Sequence, residues 1–102
     1  MAEFVRVCAQ SELPQAGLVR DVSVAGRTLC IANVDGRICV LDGTCPHEGG
    51  PLGEGTIERG RVVCPWHSYA FDVTTGEAED DPDVKAEILD AKVENGELSV
   101  KL

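Results

Sequence analysis

Short runs of alternating apolar and polar residues, separated by turn residues, make up most of the chain. The runs FVRVCA, LVRDVSV, RTLCIANV, RICVLD, AKVE and ELSVKL have the two-residue period or the Val, Ile and Leu content of β-strands. Asp35-Gly36 and Asn95-Gly96 stand between such runs, and both pairs favour type I′ turns, which need positive φ at two successive residues. The pattern predicts an all-β domain of short antiparallel strands.

Weaker local sequence signals predict one further turn and one short helix between the strands. Arg59-Gly60 is expected to turn the run TIE back into RVVC, and Ser11 is expected to cap one short helical turn that Gly17 ends. The sequence shows no internal repeat, no linker and no longer helical period. It is therefore expected to form a single domain over residues 1–102.

The segment 43–55 departs from the strand pattern. It holds five glycines and two prolines and shows no alternation of apolar and polar residues. Glycine and proline permit sharp turns, which let backbone N–H groups point inward. Because a long loop without regular structure is uncommon in a compact domain, we expect this segment to be functional.

Composition narrows the class of protein. The 102 residues carry a net charge of −9, which disfavours nucleic acid and a membrane surface as partners, since both require basic residues. The sequence has no apolar run of the roughly 20 residues that span a membrane and no visible export signal, so a cytoplasmic protein is the default expectation. In that compartment five cysteines are expected to be metal ligands and buried thiols, not disulfides.

The acidic residues are unevenly distributed. Nine of the 18 lie between Glu77 and Glu97, against two lysines, Lys85 and Lys92. Most such runs are solvated faces that keep a protein soluble, and charge alone favours that interpretation. The alternative is a surface that steers a basic partner towards the protein.

Both histidines of the chain lie just behind a Cys-Pro pair, in the segments CPH (45–47) and CPWH (64–67). Two cysteines and two histidines can ligate either zinc or iron. Structural zinc sites usually pair like with like along the sequence. Here each segment offers one thiolate and one imidazole, an arrangement that suits two metals side by side, with both cysteines on one and both histidines on the other. A single structural zinc remains the alternative.

The motif C-x-H-x16-C-x2-H, with proline after each cysteine, resembles the Rieske [2Fe–2S] signature. The surrounding CPHEGGPLGEG and CPWHSYAFD and the two hairpins extend the resemblance along the chain. It implies one Rieske-type [2Fe–2S] cluster per chain, with Cys45 and Cys64 on one iron and His47 and His67 on the other. It also implies a small Rieske-type antiparallel β-sandwich or barrel-like domain, with a two-loop cluster-binding subdomain at about 43–72.

Departures from the high-potential members of the family suggest a low-potential protein. The positions of their bracing disulfide hold Gly50 and Trp66 here, and the positions of their Ser and Tyr hydroxyls hold Tyr69 and Phe71. Fewer hydrogen bonds to the cluster sulfurs lower the potential, so we expect a value near the bottom of the Rieske range, roughly −150 mV.

The resemblance implies a one-electron carrier that is not an enzyme by itself. It would be the ferredoxin component that passes electrons from an NAD(P)H-dependent flavin reductase to a terminal aromatic-ring dioxygenase. Both partners would carry basic docking surfaces if Asp80, Asp81 and Asp83, which flank Pro82, lie near the histidine ligands. The small Rieske subunit of an assimilatory nitrite reductase is one alternative, and a structural zinc-binding interaction module is another.

The other cysteines and the aromatic residues have simpler expected roles. Cys8, Cys30 and Cys39 lie on predicted strands without a Cys or His neighbour, so they are expected to be buried apolar side chains and not redox thiols. The side chains of Trp66, Tyr69 and Phe71 are expected to pack around the two loops in preference to forming an electron path.

Overall fold

The structure is a computed structural model that describes residues 4–44, 50–66, 69–79 and 83–101. Within these ranges the chain forms ten β-strands and two short 3₁₀ helices, Gln10–Glu12 and Leu52–Glu54. The strands are β1 (Phe4–Ala9), β2 (Val19–Val24), β3 (Arg27–Val34), β4 (Arg37–Asp42), β5 (Thr56–Glu58), β6 (Arg61–Val63), β7 (Ala70–Asp72), β8 (Ile88–Leu89), β9 (Ala91–Glu94) and β10 (Glu97–Lys101).

All pairings between these strands are antiparallel and they form three sheets. Their orders are β1-β10-β9, β2-β3-β4-β8 and β5-β6-β7. The predicted all-β fold of short antiparallel strands is confirmed. No helix in the described part of the chain is long and apolar enough to cross a membrane.

Tight two-residue turns join the strands where the sequence predicts them. Asp35 and Gly36 have φ of 53° and 93°, and Asn95 and Gly96 have φ of 52° and 75°. Positive φ at both positions gives a type I′ turn, whose twist matches that of the flanking strands. The pair at 59 and 60 also has positive φ at both residues and joins β5 to β6, as expected.

The sheet β2-β3-β4-β8 is buried on both faces. Leu29 and Ile31 of β3 belong to one hydrophobic cluster, together with core residues of β1 and β10. Cys30 and Ala32, which point the other way because side chains alternate along a strand, belong to a second cluster with core residues of β6 and β7. The run LCIA is therefore continuously apolar because it forms the middle layer of the molecule.

Two local expectations differ from the structure. The first short helix begins after Ala9, whose N–H donates a hydrogen bond to the Glu12 side chain at 3.0 Å, and Ser11 lies inside the helix instead of capping it. The carboxylate three residues ahead satisfies the end of the helix that Ser11 was expected to cap. Strands β7 and β8, of three and two residues, are additional to the predicted strands.

Candidate metal centre

The first candidate ligand loop, residues 45–49, is closed at its base by backbone hydrogen bonds. Thr44 and Pro51 form an isolated antiparallel bridge across it. Just outside that bridge the Leu52 N–H donates to the Gly43 carbonyl at 2.9 Å. The described residues on the two sides of 45–49 are therefore held next to each other.

The second loop leaves β6 and returns into β7 in the same way. The Cys64 N–H donates to the Tyr69 carbonyl at 2.7 Å, and Val63 pairs with Ala70. Since β6 and β7 are neighbouring strands, this pairing fixes the residue at which the loop begins. Cys64 stands at that point and is 1% exposed.

The two loops meet at Gly50. A Cβ atom placed there would lie 2.9 Å from Cys64 Sγ and 3.0 Å from Cγ and Cδ2 of Trp66. The structure thus brings the end of the first loop against a cysteine and a tryptophan of the second. Of the four candidate ligands it describes Cys64. Cys45, His47 and His67 lie outside the described residues, as do Ser68, Asp80, Asp81 and Pro82.

An ion-pair network next to Thr44 has no counterpart among the sequence predictions. Arg27 Nη2 lies 2.7 Å from Glu87 Oε1 and 3.4 Å from Asp42 Oδ2. Asp42 Oδ1 in turn accepts a hydrogen bond from the Thr44 N–H at 2.9 Å. The network links Asp42, at the end of β4, to Arg27 of β3 and to Glu87, which directly precedes β8. The Asp-Gly-Thr segment carries a local signal for the Asx turn, but Arg27 lies 15 residues before Asp42 and Glu87 lies 60 residues beyond Arg27.

Asp72, at the end of β7, stabilises the turn that follows this strand, at the end of β7 that lies away from the second loop. Its Oδ1 accepts hydrogen bonds from the Thr74 hydroxyl at 2.5 Å and the Thr74 N–H at 2.7 Å. These hydrogen bonds, with the hydroxyl contributing most, hold the pKa of the Asp72 carboxyl below its usual value. The carboxylate therefore stays ionised to a lower pH than an ordinary aspartate, and it keeps its hydrogen bonds to the turn that follows β7.

The aromatic residues near the loops divide into two kinds. Phe71 is fully buried, and its ring centroid lies 6.3 Å from that of Tyr69 with a tilt of 41°. This part of the packing prediction is confirmed. Trp66 contacts the position of Gly50 but is 50% exposed, so its ring packs on the loop from outside.

The match to known proteins covers nearly the whole chain. A model of the family described as "Rieske [2Fe-2S] domain" matches residues 3–97. The chain belongs to this Rieske family. Ferredoxin CarAc of Metapseudomonas resinovorans is 32% identical to this Rieske protein over 99 residues, which are 95% of this chain and 92% of CarAc.

Two further comparisons concern a much longer protein and a chain of similar length. Apoptosis-inducing factor 3 of Mus musculus is 32% identical over 96 residues, 93% of this chain but 16% of that protein. The chain thus spans a small part of the length of that relative. Among solved structures, a chain in the complex of reduced oxygenase and oxidized ferredoxin in carbazole 1,9a-dioxygenase superposes with a TM-score of 0.84 at 32% identity, covering 96% of this chain and 92% of that chain.

The family's cofactor is a Rieske-type [2Fe–2S] cluster, and the surroundings of Cys64 fit it. The Cys64 thiol is a soft ligand suited to iron, and it is buried in one cluster with Leu52, Val62 and Phe71. Its sulfur faces Gly50, one residue beyond the segment that carries Cys45 and His47. The complete set of Cys45, His47, Cys64 and His67 stays a prediction, because three of its members lie outside the described residues.

The remaining described cysteines of the Rieske protein are free thiols in the core. Cys8, Cys30 and Cys39 lie on β1, β3 and β4 and are 7%, 0% and 7% exposed, which confirms their expected burial. Burial, with a smaller contribution from the Asp21 carboxylate, raises the pKa of Cys30 to about 12. A thiol that holds its proton this tightly is a poor nucleophile and a poor metal ligand.

The raised pKa of Cys30 predicts a loss of stability at high pH. In the unfolded chain the thiol ionises near pH 9, whereas in the folded chain it keeps its proton until about pH 12. The stabilisation is thus complete below pH 9 and is lost as the pH rises towards 12, by roughly 1.4 kcal/mol per pH unit. The guanidinium concentration at the unfolding midpoint is measured as a function of pH on both sides of pH 9. It should fall less steeply with rising pH for Cys30→Ala than for the parent protein. Equal slopes would contradict the prediction.

Proposed function

We propose that this Rieske protein is a one-electron carrier between an NAD(P)H-dependent flavin reductase and a terminal aromatic-ring dioxygenase. The observation that carries this proposal is the match to a ferredoxin along nearly the whole length of both chains. The likeness to a chain in an oxygenase–ferredoxin complex supports the oxygenase as a partner. In this proposal the chain delivers electrons, and the chemistry on the substrate belongs to the oxygenase.

The proposed carrier is a single Rieske domain over residues 1–102 with ligand loops at about 43–72. Cys45 and Cys64 would hold one iron through thiolates, and His47 and His67 the other through neutral ring nitrogens. When bound, the cluster takes up and releases one electron at a potential above that of four-cysteine clusters. The family match over residues 3–97 supports the single domain.

We also propose a cytoplasmic location. The support is chemical: Cys8, Cys30 and Cys39 are free thiols. Free thiols in such number are typical of a reducing compartment, where glutathione and thioredoxin keep cysteines reduced.

Charge around the loops supports basic partner surfaces. Residues 43–85 contain nine acidic and three basic side chains, whereas the rest of the chain contains nine acidic and six basic ones. Glu54, Glu58, Glu77, Glu79 and Asp83 are exposed. Glu58, Arg59 and Glu79 line one surface groove beside Val63, so its charged lining has two acidic side chains and one basic side chain. Exposed charge of one sign mainly accelerates association with a partner of the opposite sign.

The carrier role is tested by electron delivery in a reconstituted mixture. A purified NADH-dependent flavin reductase is combined with this protein and with cytochrome c as the acceptor. Reduction of cytochrome c should rise with the concentration of this protein and should disappear with Cys64→Ala. A rate that does not depend on this protein would contradict the proposal.

Reversing the charge of two residues in the acidic segment after β7 should slow association with the reductase. Asp80→Lys with Asp81→Lys should reduce the rate of electron transfer from the reductase several-fold at low salt and leave the visible spectrum unchanged. Since salt screens exposed charges, parent and variant should converge as the ionic strength rises. The matched control is Asp90→Lys with Glu94→Lys, the same charge change outside residues 43–85. Equal rates for the Asp80→Lys/Asp81→Lys variant and the parent at low salt would show that these two residues belong to a solvated face, and equal slowing by both pairs would show an effect of net charge alone.

The alternatives differ in assembly and in metal. A nitrite reductase subunit would co-purify in fixed ratio with a large partner chain, whereas a carrier purifies alone. A zinc module would be colourless, whereas a Rieske protein is red-brown.

A further inference from the structure

The contact between Gly50, Trp66 and Cys64 has a space requirement that only glycine meets. A Cβ at position 50 would stand 2.9 Å from Cys64 Sγ, closer than side chains approach in folded proteins, and 3.0 Å from two atoms of the indole. These two distances together place the Trp66 ring within 6 Å of the Cys64 sulfur. The residue at 50 therefore controls how closely the ring and the sulfur approach each other.

Trp66 and Cys64 differ sharply in exposure. Trp66 is 50% exposed, whereas Cys64 is 1% exposed. Such exposure of a tryptophan is unusual, because burying this side chain normally stabilises a protein. The indole thus has one side on Gly50 and the other in water. A large apolar group placed in this way excludes water from what lies beneath it.

We propose that Trp66 is a positioning residue that covers the Cys64 sulfur and packs the second ligand loop against Gly50, and that the absence of a side chain at Gly50 allows this close packing. This inference rests on the proposed cluster at Cys64, but it concerns side chains of this chain alone. Hydrogen bonds to sulfur and solvent exposure set the potential of an iron–sulfur cluster. If the indole keeps water away from Cys64, no water molecule stabilises the negative charge on its sulfur, and this lowers the potential of the cluster. Exclusion of water also slows loss of the cluster.

Three substitutions test the cover on purified holoprotein. Trp66→Ala should shift the midpoint potential upward and shorten the lifetime of the visible spectrum in a chelator several-fold. Trp66→Leu, which keeps an apolar but smaller cover, should fall between Trp66→Ala and the parent. Leu18→Ala removes an apolar side chain that is 54% exposed and lies before β2. As the matched control, it should change neither quantity.

Gly50→Ala tests the space requirement through fluorescence. Trp66 is the only tryptophan of the chain, so tryptophan emission comes from this side chain. An added methyl group must push either the indole outward, which shifts emission to longer wavelength, or the Cys64 sulfur, which changes the visible spectrum.

The outcomes separate this inference from the carrier role. An unchanged potential and an unchanged cluster lifetime in Trp66→Ala would contradict the proposal that Trp66 shields the Cys64 sulfur. Unchanged emission and unchanged absorption in Gly50→Ala would overturn the role of glycine. Failure of Trp66→Ala to retain a cluster that Trp66→Leu retains would support the cover. None of these measurements uses a reductase or an oxygenase, so a failure of electron delivery would leave them unaffected.

Discussion

Cys64→Ala should abolish the iron–sulfur cluster, whereas Cys30→Ala should retain it. Cys64 lies at the mouth of the second loop with its sulfur against Gly50, and Cys30 lies on β3 in the same hydrophobic cluster. Both are almost completely buried, at 1% and 0% exposure, so the two substitutions remove similar packing. The measurement is iron and acid-labile sulfide per chain, together with visible absorption.

This pair of variants separates ligation from packing. Cluster loss confined to Cys64→Ala would identify Cys64 as a ligand. Equal loss in both variants would mean that the cluster fails because the core is disturbed, and full retention in Cys64→Ala would remove Cys64 from the ligand set.

Gly55→Ala should be among the most destabilising single substitutions of this chain. Gly55 ends the second 3₁₀ helix with φ of −86°, so its backbone suits any residue. Its added Cβ, however, would overlap the Val63 carbonyl oxygen and lie 3.2 Å from the Leu52 carbonyl oxygen. Because β6 would have to move just before Cys64, we expect a loss of about 3 kcal/mol or more, well above a typical substitution.

The matched control is Gly60→Ala in the hairpin that follows. Gly60 has φ of 76° and nothing near its missing Cβ, so alanine there meets backbone strain alone, about 1–2 kcal/mol. Thermal unfolding at one fixed scan rate should show a drop of roughly 12 °C or more for Gly55→Ala and a smaller drop for the control. A smaller drop for Gly55→Ala than for Gly60→Ala would contradict the packing of Gly55 against β6.

The strands and tight turns could be predicted because their signals are local. Two residues such as Asp35 and Gly36 determine a type I′ turn by themselves, and the alternation of FVRVCA follows from one buried face. Strands β7 and β8 are too short to show a period. They form because β6 and β4 offer them a partner, and sequence patterns do not report such tertiary pairing.

The same distinction between local and long-range signals applies to the candidate site. The two Cys-Pro-containing segments are visible in sequence because iron ligation restricts both residue type and spacing. The packing of Trp66 on Gly50 and the ion pairs of Arg27 depend on residues that are distant in sequence and meet through the sheets. Their contribution to the site could be recognised only from distances in the folded chain.

The most direct test of a Rieske cluster is the EPR spectrum of the reduced protein, with iron and sulfide measured on the same sample. We expect two irons and two acid-labile sulfides per chain, in line with a [2Fe–2S] cluster. We also expect an average g value below that of four-cysteine clusters, because neutral imidazoles replace two thiolates on one iron. A colourless protein with one zinc per chain, or a signal typical of four-cysteine ligation, would contradict a Rieske cluster.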